Sequence, residues 1–191
     1  MIKNNFRDKK LFLIDLDGTI YLDNILFDHA LDFLDYVNSI GGKYVFLTNN
    51  SSKGVEEYIE KLSKLSIDVK FSNFMTSSQA TAFYLLHNYP QKKVYVLGTE
   101  SLKGELKNYG LNVTDDFSDD INCLLVGYDT ELNYSKIEDA CKLLTKDILY
   151  LATNPDLVCP TSFGFVPDCG SICKMIEVAT KKSPLLPFKS P

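Results

Sequence analysis

Short apolar runs alternate along the chain with segments in which apolar residues recur every three or four positions. The runs, which are bounded by charged or turn-forming residues, are typical of strands, and the spaced segments are typical of helices with one buried face. This pattern predicts strands at residues 11–14, 43–47, 74–78, 93–97, 121–126 and 148–152, and helices at 27–37, 52–65, 79–89, 101–109, 135–146 and 171–180. Strands that alternate with helices in this way predict an α/β fold built on parallel sheets.

The first apolar run ends at two acids, Asp15 and Asp17, with Gly18 directly behind them. Consecutive large apolar residues predict a strand buried on both faces, as at the centre of a parallel sheet. Carboxylates two positions apart at its carboxyl end point to the same side, where open α/β sheets hold their ligands. Because the two acids repel each other, and because Mg2+ prefers carboxylate, water and phosphate oxygens, we predict a Mg2+ site at Asp15 and Asp17.

The second apolar run, residues 43–47, also stops at small polar residues: Thr48, Asn49 and Asn50. A hydroxyl, two side-chain amides and the N–H groups of the helix that follows are suited to binding an anion. The carboxyl ends of neighbouring parallel strands lie at one edge of a sheet, so this anion site and the predicted Mg2+ site should be adjacent. Together they indicate a magnesium and phosphate site.

Composition and charge restrict the possible partners and compartments. The 191 residues are 45% hydrophobic and 24% charged, as in soluble globular proteins, and the net charge of −5 argues against a nucleic-acid partner. No apolar segment approaches the length of a membrane span, so no membrane partner is expected and a cytoplasmic location follows by default. The five cysteines are scattered and odd in number, which favours free reduced thiols.

Three segments resemble a known family. DLDGTIY at residues 15–21 and LTNNSS at residues 47–52 resemble motifs I and II of the haloacid dehalogenase (HAD) superfamily, in particular its class IIA, 4-nitrophenylphosphatase-like branch. ATNPDLVCPTSFGFVPDCGS at residues 152–171 resembles the return from cap to core in that branch. The resemblance implies a Rossmann-like parallel-sheet core at residues 1–78, an inserted α/β class II cap at 79–170, and a return helix with the start of the core's C-terminal part at 171–191.

The resemblance also implies a reaction. Asp15 would attack the substrate phosphorus to form an aspartyl-phosphate, and Asp17 would protonate the leaving oxygen and then activate water. Mg2+ would be held by an Asp15 oxygen and the Asp17 backbone carbonyl. Thr48, Asn49 and Asn50 would position the transferring oxygens. The chain would then be a Mg2+-dependent phosphatase that acts on small phosphorylated metabolites.

Three further residues are candidates for substrate or phosphate contact. Asp129 and Cys159 lie where such caps present side chains to the substrate, although both are equally consistent with ordinary loop residues. The third motif of the family is a lysine, and spacing from Pro184 points to Lys189, whose neighbours differ from the usual GKP. The fourth motif, which completes the Mg2+ site, does not occur before Pro191. We therefore expect a C-terminally truncated chain whose core lacks its last strands.

Two functions remain open at this point. One is the Mg2+-dependent phosphatase. The alternative is a catalytically impaired or inactive truncated homologue that binds phosphate ligands or a partner chain. Without the last strands, the first strand would keep an unpaired apolar edge, which favours pairing with another chain, so a homodimer is one expected outcome.

Overall fold

The computed structural model describes residues 8–187 of the 191-residue chain. The strands are β1 (Leu11–Asp15), β2 (Tyr21–Leu22), β3 (Ile25–Leu26), β4 (Lys43–Thr48), β5 (Phe74–Thr76), β6 (Lys93–Leu97), β7 (Asn112–Thr114), β8 (Cys123–Val126), β9 (Leu149–Ala152), β10 (Val158–Thr161) and β11 (Gly164–Pro167). The helices are α1 (Ala30–Ser39), α2 (Val55–Lys64), α3 (Ser77–Asn88), α4 (Glu100–Asn108), α5 (Tyr134–Leu143) and α6 (Cys169–Thr180). A 3-10 helix at Phe71–Asn73 precedes β5.

These strands form two parallel sheets and two short hairpins. The first sheet has the order β1-β4-β5, and the second has the order β7-β6-β8-β9. The hairpins are β2–β3 and β10–β11. The predicted α/β fold with parallel sheets is therefore confirmed. The sequence pattern predicts neither the hairpins nor β7, because strands this short carry too little periodicity.

In the described residues, the first sheet is covered on one face and open on the other. Ile14 of β1 and Phe46 of β4 are buried in a core that includes Leu34 of α1. On the opposite face, Leu11 and Leu13 are 60% and 63% exposed. The prediction that the first strand is buried on both faces is wrong for this structure, because the face with Leu11 and Leu13 is left uncovered within residues 8–187. β1 also lies at the edge of the sheet, with β4 as its neighbour in the described residues.

The second sheet is covered on both faces. Leu124 of β8 lies in a core with Leu143 of α5 and Ile176 of α6. The next residue, Leu125, lies in the opposite core with Leu106 of α4. Because successive side chains of a strand point to opposite faces, β8 is buried on both sides. This sheet has the two-sided burial that is typical of parallel sheets.

The predicted domain bounds, 1–78, 79–170 and 171–191, stay a prediction. The first bound falls in α3, between the last strand of the first sheet and β6 of the second. Helix α6 packs against the second sheet, where Ile172 and Ile176 join the core. The helix begins before the predicted residue 171, because the carboxylate of Asp168 accepts the N–H of Cys169 and caps the helix there.

Two further features of the described residues are the state of the cysteines and the character of the helices. All five cysteines are free thiols, and Cys123, Cys169 and Cys173 are buried. Among residues 8–187, none of the helices combines the length and the apolar composition that a bilayer crossing requires. The cytoplasmic location and the homodimer stay predictions.

Candidate active site

The carboxyl end of β1 carries two acids on a tight turn. β1 ends at Asp15, and Asp17 follows after the fully buried Leu16. Gly18 has a φ of 82°, which L side chains rarely adopt, and its N–H donates to the Tyr21 carbonyl at 2.8 Å. The turn leads the chain into the β2–β3 hairpin, so the two acids stay at the edge of the sheet.

The polar end of β4 lies beside these acids. Asp15 is paired in parallel register with Leu47, the residue before Thr48. The Thr48 hydroxyl lies 3.5 Å from Asp17 Oδ2 and accepts the N–H of Asn50 at 3.2 Å. The predicted contact between the two strand ends is therefore present, and it joins the carboxylates to the hydroxyl and amide loop.

Both strand ends line a cavity of about 130 Å³. Five of its lining residues come from these strand ends: Asp15, Asp17, Thr48, Asn49 and Asn50. The other five come from the loop after β9, from β10 and from the N-cap of α6: Asp156, Val158, Cys159, Pro160 and Asp168. Pockets for drug-sized ligands measure roughly 300–1,000 Å³, so this cavity suits a small polar group.

The surroundings disfavour ionisation of both acids. Burial raises the pKa of Asp15, and the charges of Asp17 and Asp156 raise it further, whereas the Thr19 hydroxyl, which donates to Asp15 Oδ2 at 3.1 Å, lowers it. Burial likewise raises the pKa of Asp17, and the positive charge of Lys61 offsets part of this effect. A bound cation would relieve the remaining repulsion.

The oxygen donors at this edge fit a hard divalent cation. The hydrogen-bond partners of Asp15 and Asp17 include neutral threonine hydroxyls. Within residues 8–187, no group of three or more His, Cys, Asp and Glu side chains is placed to hold a metal ion. Two carboxylates completed by water and phosphate oxygens suit Mg2+, whereas structural zinc requires a set of Cys and His ligands. The residues present therefore fit Mg2+.

The three further candidates have different positions. Cys159 lines the cavity, where burial and neighbouring carboxylates raise the pKa of its thiol to about 11. Asp129 is buried elsewhere: its carboxylate lies 2.8 Å from Lys136 Nζ and accepts the N–H of Glu131 at 2.9 Å. This arrangement gives Asp129 a structural contact at the start of α5 and no place in the cavity wall. Lys189 lies outside the described residues.

Two carboxylates outside the sequence-based candidates also line the cavity, Asp156 and Asp168. Burial raises the pKa of Asp168 to about 6, and the charges of Asp156 and Asp17 add to this. Asp156 accepts a hydrogen bond from Asn49 Nδ2 at 3.1 Å. The sequence does contain a signal for this loop. Asn154-Pro155-Asp156 is a turn-forming run, and it lies in a segment without helix or strand periodicity, as is typical of loops that line a site.

The loop that contains Asp156 packs so closely on α6 that a side chain at Gly170 has no room. A Cβ at Gly170 would lie 2.3 Å from the Pro155 carbonyl oxygen and 2.8 Å from that of Asp156. Gly170→Ala should therefore displace the loop and lower the free energy of unfolding by about 2 kcal/mol. Urea denaturation measures the change. The matched control is Gly104→Ala in α4, where the new Cβ meets open space; equal losses in both variants contradict the close packing.

Comparison with known sequences points to one family. Residues 12–112 match a family described as haloacid dehalogenase-like hydrolase. The acid sugar phosphatase of Staphylococcus haemolyticus is 36% identical over 178 residues, which cover 93% of this chain and 67% of that protein. This chain thus spans about two thirds of the length of that relative.

Comparison with solved structures points to the same kind of protein. A 4-nitrophenylphosphatase from Thermotoga maritima superposes with a TM-score of 0.88 at 36% identity, covering 95% of this chain and 68% of that one. A glycerol phosphate phosphatase from Mycobacterium tuberculosis, solved in complex with magnesium, superposes with a TM-score of 0.84 at 27% identity, covering 93% of this chain and 53% of that one. The HAD-type fold expected from the motifs is therefore confirmed.

Proposed function

The chain belongs to the haloacid dehalogenase-like hydrolase family, and on this basis we propose that it hydrolyses phosphate monoesters of small metabolites with the help of Mg2+. The observation that carries the proposal is the cavity at the joined strand ends. There, two carboxylates face a loop of one hydroxyl and two amides. This combination suits a divalent cation and a phosphate group side by side.

Asp15 is proposed as the nucleophile and Asp17 as the general acid and base. An Asp15 oxygen attacks phosphorus, the bond from phosphorus to the ester oxygen breaks, and Asp17 gives its proton to the leaving oxygen. Asp17 then takes a proton from water, whose oxygen attacks the phosphorus of the aspartyl-phosphate. The bond from phosphorus to the Asp15 oxygen breaks, and phosphate leaves. Splitting one slow displacement into two steps lowers the barrier of each.

The loop after β4 is proposed to bind the transferring phosphoryl oxygens. The Thr48 hydroxyl and the amides of Asn49 and Asn50 all border the cavity. The side chain of Asn50 is fixed by its own loop, because its Oδ1 accepts hydrogen bonds from the Ser52 N–H at 2.9 Å and the Ser52 hydroxyl at 2.7 Å. A phosphoryl group would therefore meet donors whose positions are set before binding.

Mg2+ would be held by an Asp15 carboxylate oxygen and the backbone carbonyl of Asp17. When bound, it offsets negative charge on the phosphate and on the two acids. The complex of the glycerol phosphate phosphatase relative with magnesium supports this choice.

The names of the relatives and the size of the cavity both favour small substrates. Sugar phosphates are the first class to test. The relatives are named for sugar phosphates, glycerol phosphate and 4-nitrophenyl phosphate. A cavity of about 130 Å³ accepts a phosphoryl group and little more, so the rest of the substrate extends beyond it. Among the residues that line the cavity, Val158, Cys159 and Pro160 offer the apolar and thiol contacts. These residues of β10 are the first place to look for selectivity.

Hydrolysis of 4-nitrophenyl phosphate by the purified 191-residue protein tests the proposal. We expect turnover with Mg2+, loss of turnover with EDTA, and recovery when Mg2+ is added in excess. Turnover that EDTA leaves unchanged would contradict the metal requirement. A folded sample without turnover would contradict the phosphatase and favour the alternative, an inactive homologue that binds phosphate ligands or a partner chain.

A further inference from the structure

The loop that presents Asn49 to the cavity is held by the segment after β9. The backbone carbonyl of Asn49 accepts two hydrogen bonds, one from Asn154 Nδ2 and one from the Ser77 hydroxyl, both at 2.8 Å. The side-chain Nδ2 of Asn49 donates to Asp156 Oδ2 at 3.1 Å. Asn49 is exposed at the end of its strand, so these bonds, rather than burial, fix its conformation.

The segment that holds Asn49, residues 153–156, is itself fixed by hydrogen bonds. Asn154 is 2% exposed, and its Oδ1 accepts the N–H of Asp156 at 2.9 Å. The carbonyl of Asp156 accepts the N–H of Gly170 at 2.8 Å, which ties the segment to the first turn of α6. One residue earlier, the hydroxyls of Thr153 and Ser51 lie 2.9 Å apart. The segment therefore contacts the β4 loop at a series of fixed points.

The bond to Asp156 also determines how the amide of Asn49 is oriented. A carboxylate only accepts hydrogen bonds, so the amide nitrogen must face Asp156. The amide oxygen and the second N–H are then left for other partners. Without Asp156, the amide could rotate, and its donor would lose a fixed position.

We propose that Asn154 and Asp156 are positioning residues, which hold Asn49 in the conformation that binds the phosphoryl group. The inference rests on the proposed function, in which Asn49 contacts the transferring oxygens. It assigns to these two residues of the segment after β9 a role that acts through Asn49 rather than through contact with the reacting atoms.

The charge of Asp156 permits a sharp test. A negative charge near the cavity repels phosphate, so removing it should by itself improve phosphate binding. Asp156→Asn removes the charge but keeps an acceptor oxygen for Asn49, whereas Asp156→Ala removes both. If Asp156 positions Asn49, the alanine variant should bind phosphate more weakly even though it has lost a repelling charge.

The experiment compares these variants in hydrolysis of 4-nitrophenyl phosphate and in binding of inorganic phosphate by calorimetry. We expect Asp156→Ala to raise KM and the phosphate Kd about tenfold or more, the range of a lost hydrogen bond to a charged group. Asp156→Asn should stay within a few-fold of the wild type. Asn154→Ala should also raise KM and the phosphate Kd, because it removes one of the two donors to the Asn49 carbonyl and the acceptor of the Asp156 N–H.

A matched control is Asp120→Ala, which removes an exposed acid paired with Lys93 at 2.8 Å outside the cavity. It should leave KM and the phosphate Kd unchanged, and thermal melts check that all variants fold. Two results overturn the inference and leave the proposed function standing, provided that the wild type turns over normally. One is a KM and a phosphate Kd of Asp156→Ala equal to those of the wild type. The other is an equal loss in Asp156→Ala and Asp156→Asn. A wild-type protein that neither binds phosphate nor turns over overturns the proposed function and the inference together.

Discussion

Asp15→Asn is expected to lower kcat for 4-nitrophenyl phosphate at least about a thousandfold, because the amide cannot attack phosphorus and the aspartyl-phosphate does not form. The amide has the size of the carboxylate and keeps an oxygen that accepts from the Thr19 hydroxyl. Burial and the charge of Asp17 already disfavour the ionised form of Asp15, as the raised pKa of Asp15 indicates. Loss of the charge should therefore leave the stability intact, which a thermal melt checks.

Two controls accompany this measurement. Asp28→Asn makes the same change at an exposed acid before α1 and should leave kcat unchanged. The Asp15→Asn sample, purified in parallel, also measures any contaminating phosphatase. Turnover above about a tenth of the wild-type value in a folded Asp15→Asn protein would falsify the nucleophile assignment.

Asp17→Asn gives a contrast within the same experiment. A general acid matters most when the leaving oxygen is strongly basic. 4-Nitrophenolate is a weak base, whereas the alkoxide that leaves from a sugar phosphate is a strong one. The loss of kcat in Asp17→Asn should therefore be larger for a sugar phosphate than for 4-nitrophenyl phosphate. Equal losses contradict the acid role of Asp17.

The sequence alone predicts the two strand ends because their signals are local. An apolar run that stops at Asp15, and another that stops at Thr48, each define a strand and its polar end. Parallel pairing then brings the two strand ends to one edge of the sheet. The structure shows this in the pairing of Asp15 with Leu47, the residue before Thr48. The family resemblance adds the chemical roles, which stay a proposal.

The contacts between the loop after β4 and the segment after β9 are not predictable in this way, because they join distant parts of the chain. The bond from Asn49 to Asp156 links residues 107 positions apart, and no periodicity encodes it. Asp129 is a different case, because its place after a predicted strand points to substrate contact, which stays a prediction. In the structure Lys136, seven positions later, forms an ion pair with Asp129.

Glu105 should make the stability of the protein depend on pH near neutrality. It lies on α4 beside a cavity of about 450 Å³ that also borders Glu57 of α2 and Tyr109. Both carboxylate oxygens of Glu105 are out of contact with solvent. Burial raises the pKa of Glu105 from 4.5 to about 7, and the charge of Glu57 adds to this, while the Ser78 hydroxyl lowers it in part.

The sign of the effect follows from where the proton is bound. Below pH 4.5 Glu105 is protonated in the folded and the unfolded state, so it does not change the free energy of unfolding. Between pH 4.5 and about 7 the unfolded chain loses the proton while the folded chain keeps it, and the free energy of unfolding falls. Above pH 7 the loss is complete, and the shift corresponds to at most about 3 kcal/mol.

Glu105→Gln removes this dependence, because glutamine stays neutral at every pH. Urea denaturation at pH 5 and pH 8 should show the variant close to the wild type at pH 5 and about 2–3 kcal/mol more stable at pH 8. Other titrating groups cancel in the difference between the two proteins. The matched control is Glu56→Gln, an exposed acid on the same cavity, which should show no such difference. If the advantage of Glu105→Gln is the same at both pH values, Glu105 does not hold a proton in the folded protein.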